Sequence, residues 1–254
     1  MANLNGKNVI ITGAAGGLGG EIARAAAAAG AAVAIFDVKG VDEAVANLKQ
    51  SGFKAVGVTV DVRDGKAVVA ATDEVARALG GVHILIAAAG GSLGTPRDLD
   101  DISEEDLDFV LDVNIKGTFN CARAAISHMK QNGGGSIVTF SSIGGRSASP
   151  VTGVPYAAAK AGLLGLTRRL AREVGNANIR VNAIAPGLFL TDRLQGMFDA
   201  LPEAERKEVL DSIPLGRMPQ LRECVEPVLF LASDESSYIT GVVLDVNGGR
   251  FMAG

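Results

Sequence analysis

Seven short apolar runs recur along the 254 residues: NVIIT (8–12), AVAIFD (32–37), AVGVTV (55–60), HILIAA (83–88), SIVTF (136–140), IRVNAI (179–184) and VVLDV (242–246). Each has the length of a strand and the nearly continuous apolar character of one covered on both faces. Between them lie longer stretches with helix signals. Gly19 to Ala29 is alanine-rich and closes at Gly30, Asp64 to Leu79 closes at Gly80, and Ser103 opens a capped run, with Asp106 three residues on, that reaches about Gln131. Strands alternating with helices require right-handed crossovers. They predict an α/β fold: a doubly wound parallel sheet of about seven strands with helices on both faces.

Hydrophobic residues make up 48% of the chain and aromatics only 4%, so the core must be built from Ala, Val, Ile and Leu, with 33 glycines allowing close backbone approach. No Pro/Ser-rich linker, charge block or internal repeat divides the sequence, and a single domain over 1–254 is expected. Residues 188–216 alternate apolar and charged side chains at helical spacing between proline-marked ends, and read as a helical flap over a cleft. The net charge is −4 and Lys and Arg are scattered, which argues against a nucleic-acid partner. Cys121 and Cys224 lie far apart with no CxxC, as expected of two unlinked thiols in a reducing compartment. The opening MANLNGKNVIITG lacks a signal-peptide pattern, and Ala25 to Phe36 is too short and too rich in Ala and Gly to span a bilayer. A cytoplasmic protein with no membrane partner is expected.

TGAAGGLGG follows the first run directly, with Gly13, Gly17 and Gly19 at GxxxGxG spacing before the alanine-rich helix and Leu18 between the last two. Glycines there allow a tight turn and let free amides and the positive end of the helix dipole meet a pyrophosphate. Asp37 ends the next strand, 18 residues past Gly19. This is the Rossmann-type arrangement, in which a carboxylate accepts hydrogen bonds from the adenosine ribose and repels a 2′-phosphate. NAD is therefore the expected cofactor, and position 16 is Gly, leaving Lys39 as the only nearby cation. Asp61, followed by Val62 at the end of the third strand, either touches the adenine edge or caps the next turn.

Tyr156 and Lys160 are four apart, on one face of a helix. A hydride leaving a carbinol carbon needs a base for the hydroxyl proton. His83 sits in a strand and His128 near a helix end, so tyrosine is the remaining candidate. Bringing a phenol from about 10 to neutrality asks for roughly 4 kcal/mol. An ammonium about 6 Å away at an effective dielectric of about 20 supplies roughly 3 kcal/mol. Lys160 is expected to provide most of that lowering, and a cationic nicotinamide ring the rest.

TGAAGGLG (12–19), Asn114, Ser142 after SIVTF, YAAAK (156–160), PG (186–187) with Thr191 behind it, and ITGVVLDVNGG near the end occur in this order. In this the chain resembles, over nearly its whole length, the compact single-domain short-chain dehydrogenases/reductases. The resemblance implies Tyr156 as general acid/base, Ser142 bonded to the substrate oxygen, and Lys160 holding the nicotinamide ribose while lowering the phenol pKa. It implies Asn114 as the holder of a relay water. Pro186, Gly187 and the Thr191 hydroxyl would bind the carboxamide, and the usual assembly is a homotetramer formed through two long helices, here Ser103 to Gln131 and Pro155 to Gly175, and the last strand.

Two departures stand out. Where the family commonly has Asn-Asn-Ala-Gly, this chain has Ala87, Ala88, Ala89 and Gly90, which puts the stiffness of that edge in doubt while Gly90 still permits close approach to the adenosine. Ser142 precedes Tyr156 by 14 residues, one more than usual, so Ser141 stands as a fallback although its side chain should point to the opposite face. The expected activity is NAD-dependent interconversion of a secondary alcohol and its ketone. A 3-oxoacyl-thioester (acyl-carrier-protein) reductase is the alternative, favoured by cations at the cleft mouth such as Arg97, Arg146 and Arg193; a non-catalytic dinucleotide-binding regulator is the reading from another class. Phe189, Leu190, Leu194, Met197 and Phe198 of the flap suggest a small-molecule substrate with an apolar body.

Overall fold

The computed structural model describes residues 2–148, 152–190, 195, 198–199 and 202–253. Strands β1 (Asn8–Thr12), β2 (Ala32–Asp37), β3 (Ala55–Thr59), β4 (Ile84–Ala87), β5 (Gly135–Phe140), β6 (Ile179–Pro186) and β7 (Val243–Val246) form one parallel sheet in the order β3-β2-β1-β4-β5-β6-β7. Side chains alternate faces along a strand, and so feed two cores in turn. Val9, Ile11, Ile84, Ile86 and Val138 pack on one side with Ile22 and Ala26 of α1 (Gly17–Ala28), Leu48 of α2 (Val41–Gln50) and Val228 of a helix at Arg222–Ala232. Ile10, Leu85 and Ile137 point the other way. They meet Val68 and Val75 of α3 (Gly65–Leu79), Cys121 and Ala125 of α5 (Gly117–Gln131) and Val174 of α6 (Val154–Val174). This is the expected doubly wound architecture, with α4 (Glu104–Leu111), α7 (Glu203–Asp211) and α8 (Arg222–Ala232) completing the helices named here.

The expected double-sided burial holds for the inner strands and fails at the edges. β3 and β7 are only partly buried along most of their length, because each has a neighbour on one side alone. The long run from Ser103 also differs from expectation. Its start carries the capping box, with the Ser103 hydroxyl accepting from the Asp106 amide at 3.1 Å and Asp106 accepting from the Ser103 amide. It then breaks into α4, a single π turn at Asp112–Lys116, and α5. Such turns insert a residue and re-aim side chains, and this one carries Asn114.

From β1 the chain adds β2 and β3 on one side and β4 to β7 on the other, so the order of winding switches between the parallel neighbours β1 and β4. The crevice at the carboxyl ends of those strands is where open α/β sheets bind ligands. At the opposite end His83 Nδ1 accepts from the Asn8 amide at 3.0 Å, and burial, with Lys7 nearby, holds its pKa below the ordinary 6.5. The folded protein thus prefers neutral His83. Its contribution is present above about pH 6.5 and is lost as pH falls through the unfolded value toward the folded one. We expect the melting temperature of the protein to decline below pH 6.5 by a component that His83→Gln removes; parallel pH dependences in the two proteins would refute this.

Candidate active site

The loop after β1 is shaped by sterics. Gly13 (φ +66°) and Gly17 (φ +55°) occupy the left-handed region. A Cβ on Gly13 would lie 2.9 Å from Ala89 Cα, and one on Gly19 only 2.1 Å from the Gly13 carbonyl oxygen. Helix α1 starts after Gly16, which offers no side-chain cap, so its first amides face the crevice without a protein acceptor from that residue. Leu18 is half-buried against the α1 core. Asp37, at the tip of β2, accepts from the Ala15 amide at 3.0 Å and from Val38 at 2.8 Å, which pins the glycine loop to the strand that carries the carboxylate. These features fit a nicotinamide dinucleotide: close backbone approach, free helix amides and an acid at the ribose end.

The acid after β3 is engaged elsewhere. Asp61 takes both Arg63 Nε (2.9 Å) and Arg63 Nη2 (2.6 Å), plus the Arg63 amide at 2.9 Å, and the guanidinium holds its carboxyl below the usual range. Of the two roles open to Asp61, the geometry displays the turn cap. Val62 is buried, with its methyl carbons against Gly117.

Beyond β4 the missing asparagines are partly offset. The Ala89 amide donates to the buried Thr12 hydroxyl at 2.9 Å, tying β1 to this segment. The sequence reading missed Thr12, although a polar residue closing an otherwise apolar strand was its visible signal. Asn114 provides a second tie. Fully buried in the π turn, it accepts from the Gly91 amide (3.0 Å) and donates to the Gly91 carbonyl (3.0 Å) and the Val110 carbonyl (2.8 Å). Its side chain therefore clamps the Gly90–Gly91 segment. A Cβ on Gly90 (φ +146°) would lie 2.4 Å from Asn114 Oδ1 and 3.4 Å from Lys160 Nζ, so Gly90, Asn114 and Lys160 share one corner.

At the end of β5 the two serines part. Ser141 Oγ donates to the Lys160 carbonyl at 2.8 Å and is buried against α6. Ser142 Oγ accepts from the Gly144 amide at 3.1 Å and shares a corner with Tyr156: a Cβ on Gly144 would stand 3.7 Å from Ser142 Oγ and 3.4 Å from Tyr156 Cε1. The longer spacing therefore leaves Ser142, not Ser141, facing the tyrosine. Lys160 Nζ donates to the Phe140 carbonyl at 2.7 Å and lies 5.6 Å from the Tyr156 ring centroid. Thr152 Oγ1 is buried near the same place, within 3.3 Å of where a Gly144 Cβ would stand, and bonds to no described residue.

The expected lowering of the phenol by Lys160 is not what the protein's own groups produce. Tyr156 is raised above 10, chiefly by burial, with the nearby Ser142 hydroxyl pulling the other way. Lys160, completely buried, is lowered to about 7 by the same cause. Desolvation penalises both charged forms at once, and Lys160 Nζ is engaged with the Phe140 carbonyl, so the lysine does not supply by itself the lowering expected of it.

Pro186 ends β6 beside Val246, and the Gly187 amide donates to the Val246 carbonyl at 2.8 Å. Thr191, Arg193, Leu194 and Met197 lie outside the described residues. Phe189 does not hang over the crevice: it is 6% exposed and packs into the α1 core, a correction to its expected place in the flap. Arg146 is likewise withdrawn from the cleft mouth by an ion pair with Asp245 at 2.9 Å.

The fold and this crevice together define an oxidoreductase of the dinucleotide-binding kind. A family model described as enoyl-(acyl carrier protein) reductase matches residues 13–250. The chain is 42% identical to an uncharacterized short-chain type dehydrogenase/reductase of Sinorhizobium fredii, over 98% of this chain and 99% of that protein. It is 38% identical to a 3-oxoacyl-[acyl-carrier-protein] reductase of Thermotoga maritima, over 97% and 98%. A crystal structure of a candidate short-chain alcohol dehydrogenase from Sinorhizobium meliloti superposes with a TM-score of 0.90 at 39% identity, covering 98% and 97% of the two chains. The chain belongs to the short-chain dehydrogenase/reductase family.

Proposed function

We propose that this protein interconverts a secondary alcohol and its ketone with NAD as cofactor. The observation that carries the reading is the meeting of Ser142 and Tyr156, both within contact distance of one point at Gly144, beside buried Lys160, at the crevice where Gly13, Gly17 and Gly19 leave room for a pyrophosphate. Tyr156 takes the carbinol proton in oxidation and returns it in reduction. Ser142, fixed by the Gly144 amide, holds the substrate oxygen against the phenol. Lys160 and Gly90 face the ribose side, and Pro186 and Gly187 the carboxamide, with Thr191 proposed as its hydroxyl partner. A nicotinamide dinucleotide supplies the hydride acceptor and, when oxidised, a positive ring charge that Lys160 alone does not provide.

The preference for NAD rests on Asp37, whose oxygens already accept from Ala15 and Val38 and would repel a 2′-phosphate. Asp37→Ser should change the ratio of NAD to NADP affinity by about 10- to 100-fold in favour of NADP, the worth of a charged hydrogen bond. Titration of both dinucleotides measures it, and an unchanged ratio would remove Asp37 from the cofactor argument. Because the ratio is read within one protein, any loosening of the glycine loop cancels.

A 3-oxoacyl-thioester reductase is kept as the second reading, since one relative carries that name. Arg146, one of its candidate cations, is committed to Asp245. Turnover of a panel of secondary alcohols, ketones and 3-oxoacyl thioesters, followed by reduced-nicotinamide absorbance with each cofactor, separates the readings; firm NAD binding with no turnover would instead support a regulator. Residues 188–216 are proposed as the substrate flap, and an apolar substrate body is proposed from Leu190 and Phe198. Leu107 and Phe109 of α4 and Phe119 of α5 are exposed by 37 to 42%, an apolar strip that supports assembly as a homotetramer through the long helices. Free, buried Cys121 and Cys224 suit the cytoplasm. Among the described residues no helix is long and apolar enough to cross a membrane.

A further inference from the structure

The turn that follows Ser142 is anchored from an unexpected direction. Residues Ile143–Gly145 form one 3-10 turn in which the Gly145 amide donates to the Ser142 carbonyl and the Arg146 amide to the Ile143 carbonyl, each at 3.0 Å. The turn lies flat on α6, where a Cβ on Gly145 would stand 2.4 Å from the Lys160 carbonyl carbon. From its end Arg146 reaches β7. Its Nη2 donates to Asp245 Oδ2 at 2.9 Å, and its guanidinium carbon stacks 5.2 Å from the centre of the Phe251 ring.

Phe251 is held in turn by Asn247, whose Oδ1 accepts from the Phe251 amide at 3.3 Å and whose Nδ2 donates to the Phe251 carbonyl at 3.1 Å. Asn247 also floors the loop after β6: a Cβ on Gly187 would meet Asn247 Cα at 3.0 Å. One short segment, 245–251, therefore seats both the turn after Ser142 and the Pro186–Gly187 loop.

The ion pair is a poor device for stability. Arg146 and Asp245 are 15% and 22% exposed, and Arg146 Nε and Asp245 Oδ1 are buried with no hydrogen-bond partner among the described residues. Burying such atoms costs free energy that a single N–O contact does not fully offset. What the contact provides is a fixed distance between the turn after Ser142 and the end of β7.

We propose that Arg146 is a positioning residue: through Asp245 and Phe251 it locks the Ser142 turn to the segment that seats Pro186 and Gly187, and so holds the Ser142 hydroxyl on the Tyr156 phenol. The proposal rests on the reading above that Ser142 and Tyr156 act on the substrate. Among the described residues, the charged groups in contact with this unit are Lys160, which faces the Tyr156 ring from the same helix, and the Arg146–Asp245 pair itself.

Two measurements test it. Phenolate absorbance against pH needs no cofactor or substrate, and with two tyrosines and no tryptophan it separates half-buried Tyr156 from fully exposed Tyr238. Ser142, beside the phenol at Gly144, pulls the Tyr156 pKa down against the effect of burial. Arg146→Met, which keeps a chain against Phe251 but not the ion pair, should therefore move the Tyr156 transition to higher pH, in the direction and up to the size seen in Ser142→Ala, and leave Tyr238 in place. In turnover, kcat should fall roughly 10- to 100-fold, the cost of a small misplacement, with NAD affinity unchanged and Arg146→Lys recovering part of the loss. If Arg146→Met does not fold, Asp245→Asn carries the same two expectations.

A Tyr156 transition that stays at the wild-type pH in a folded variant, or a kcat loss that Arg146→Lys does not relieve, overturns the proposal. Tyr156→Phe run in the same assay keeps the two claims apart. If that variant retains turnover, the acid/base reading fails whatever the Arg146 variants do; if it is inactive while Arg146→Met behaves as wild type, only the positioning claim fails.

Discussion

Tyr156→Phe is expected to lower turnover of any alcohol the protein oxidises by about 100- to 10,000-fold, the range that general acid/base groups contribute, while NAD binding stays near the wild-type value. Only one oxygen is removed. The ring remains packed beside Lys160, and Ser142 keeps its bond from the Gly144 amide, so stability should stay within about 1.5 kcal/mol of the wild type. Initial rates by nicotinamide absorbance, fluorescence binding of the dinucleotide and a melting curve decide the matter together. A variant that keeps more than about a tenth of the wild-type rate would remove the phenol from the reaction. One that fails to melt cooperatively would say that the hydroxyl is structural.

Gly19→Ala should be strongly damaging, because among the described glycines it would bring a new carbon nearest to a backbone atom. In a helix interior alanine normally gains about 1 kcal/mol over glycine. At position 19 the new carbon would stand 2.1 Å from the Gly13 carbonyl oxygen and 2.9 Å from its carbon, both backbone atoms, and α1 would have to back away from the glycine loop. Overpacking of this kind costs about 1 to 3 kcal/mol or more, and the displaced helix end would no longer present its amides to a pyrophosphate. We expect a lower melting temperature and dinucleotide affinity reduced by over about tenfold. Gly20→Ala is the matched control, because its added carbon meets only the Ala14 carbonyl oxygen at 3.6 Å, an ordinary contact. Equal behaviour of the two variants would show that the clash is relieved at no cost.

Much of this was legible in the sequence, for reasons that can be located. Strand-length apolar runs such as 8–12 and 84–87 lie fully buried because a central strand has helices over both faces, and the pattern of both faces reads as one continuous run. At β3 and β7 the same type of run sits half-exposed, since letters alone do not say which strand is at an edge. The order of motifs pointed to the crevice, and the side to which Ser142 turns needed the coordinates: a loop of given length can close in either register. Harder still was the charge state of Tyr156 and Lys160. Spacing puts an ammonium near a phenol, but only the fold shows that burial draws the ammonium's pKa down to about 7. Arg146 reads as a surface cation until β7 and Phe251 are seen beneath it.

The π turn at Asp112–Lys116 has a consequence for anyone who compares or redesigns chains of this kind. A uniform α-helix advances about 100° per residue, so a single helical wheel drawn through 104–131 assigns the right faces to one half of the rod and rotates the other half away from its true bearing. Two wheels, one ending at Leu111 and one beginning at Gly117, are required. An alignment that opens a one-residue gap between them is then physically reasonable, and one that forbids it will score α4 against the wrong neighbours.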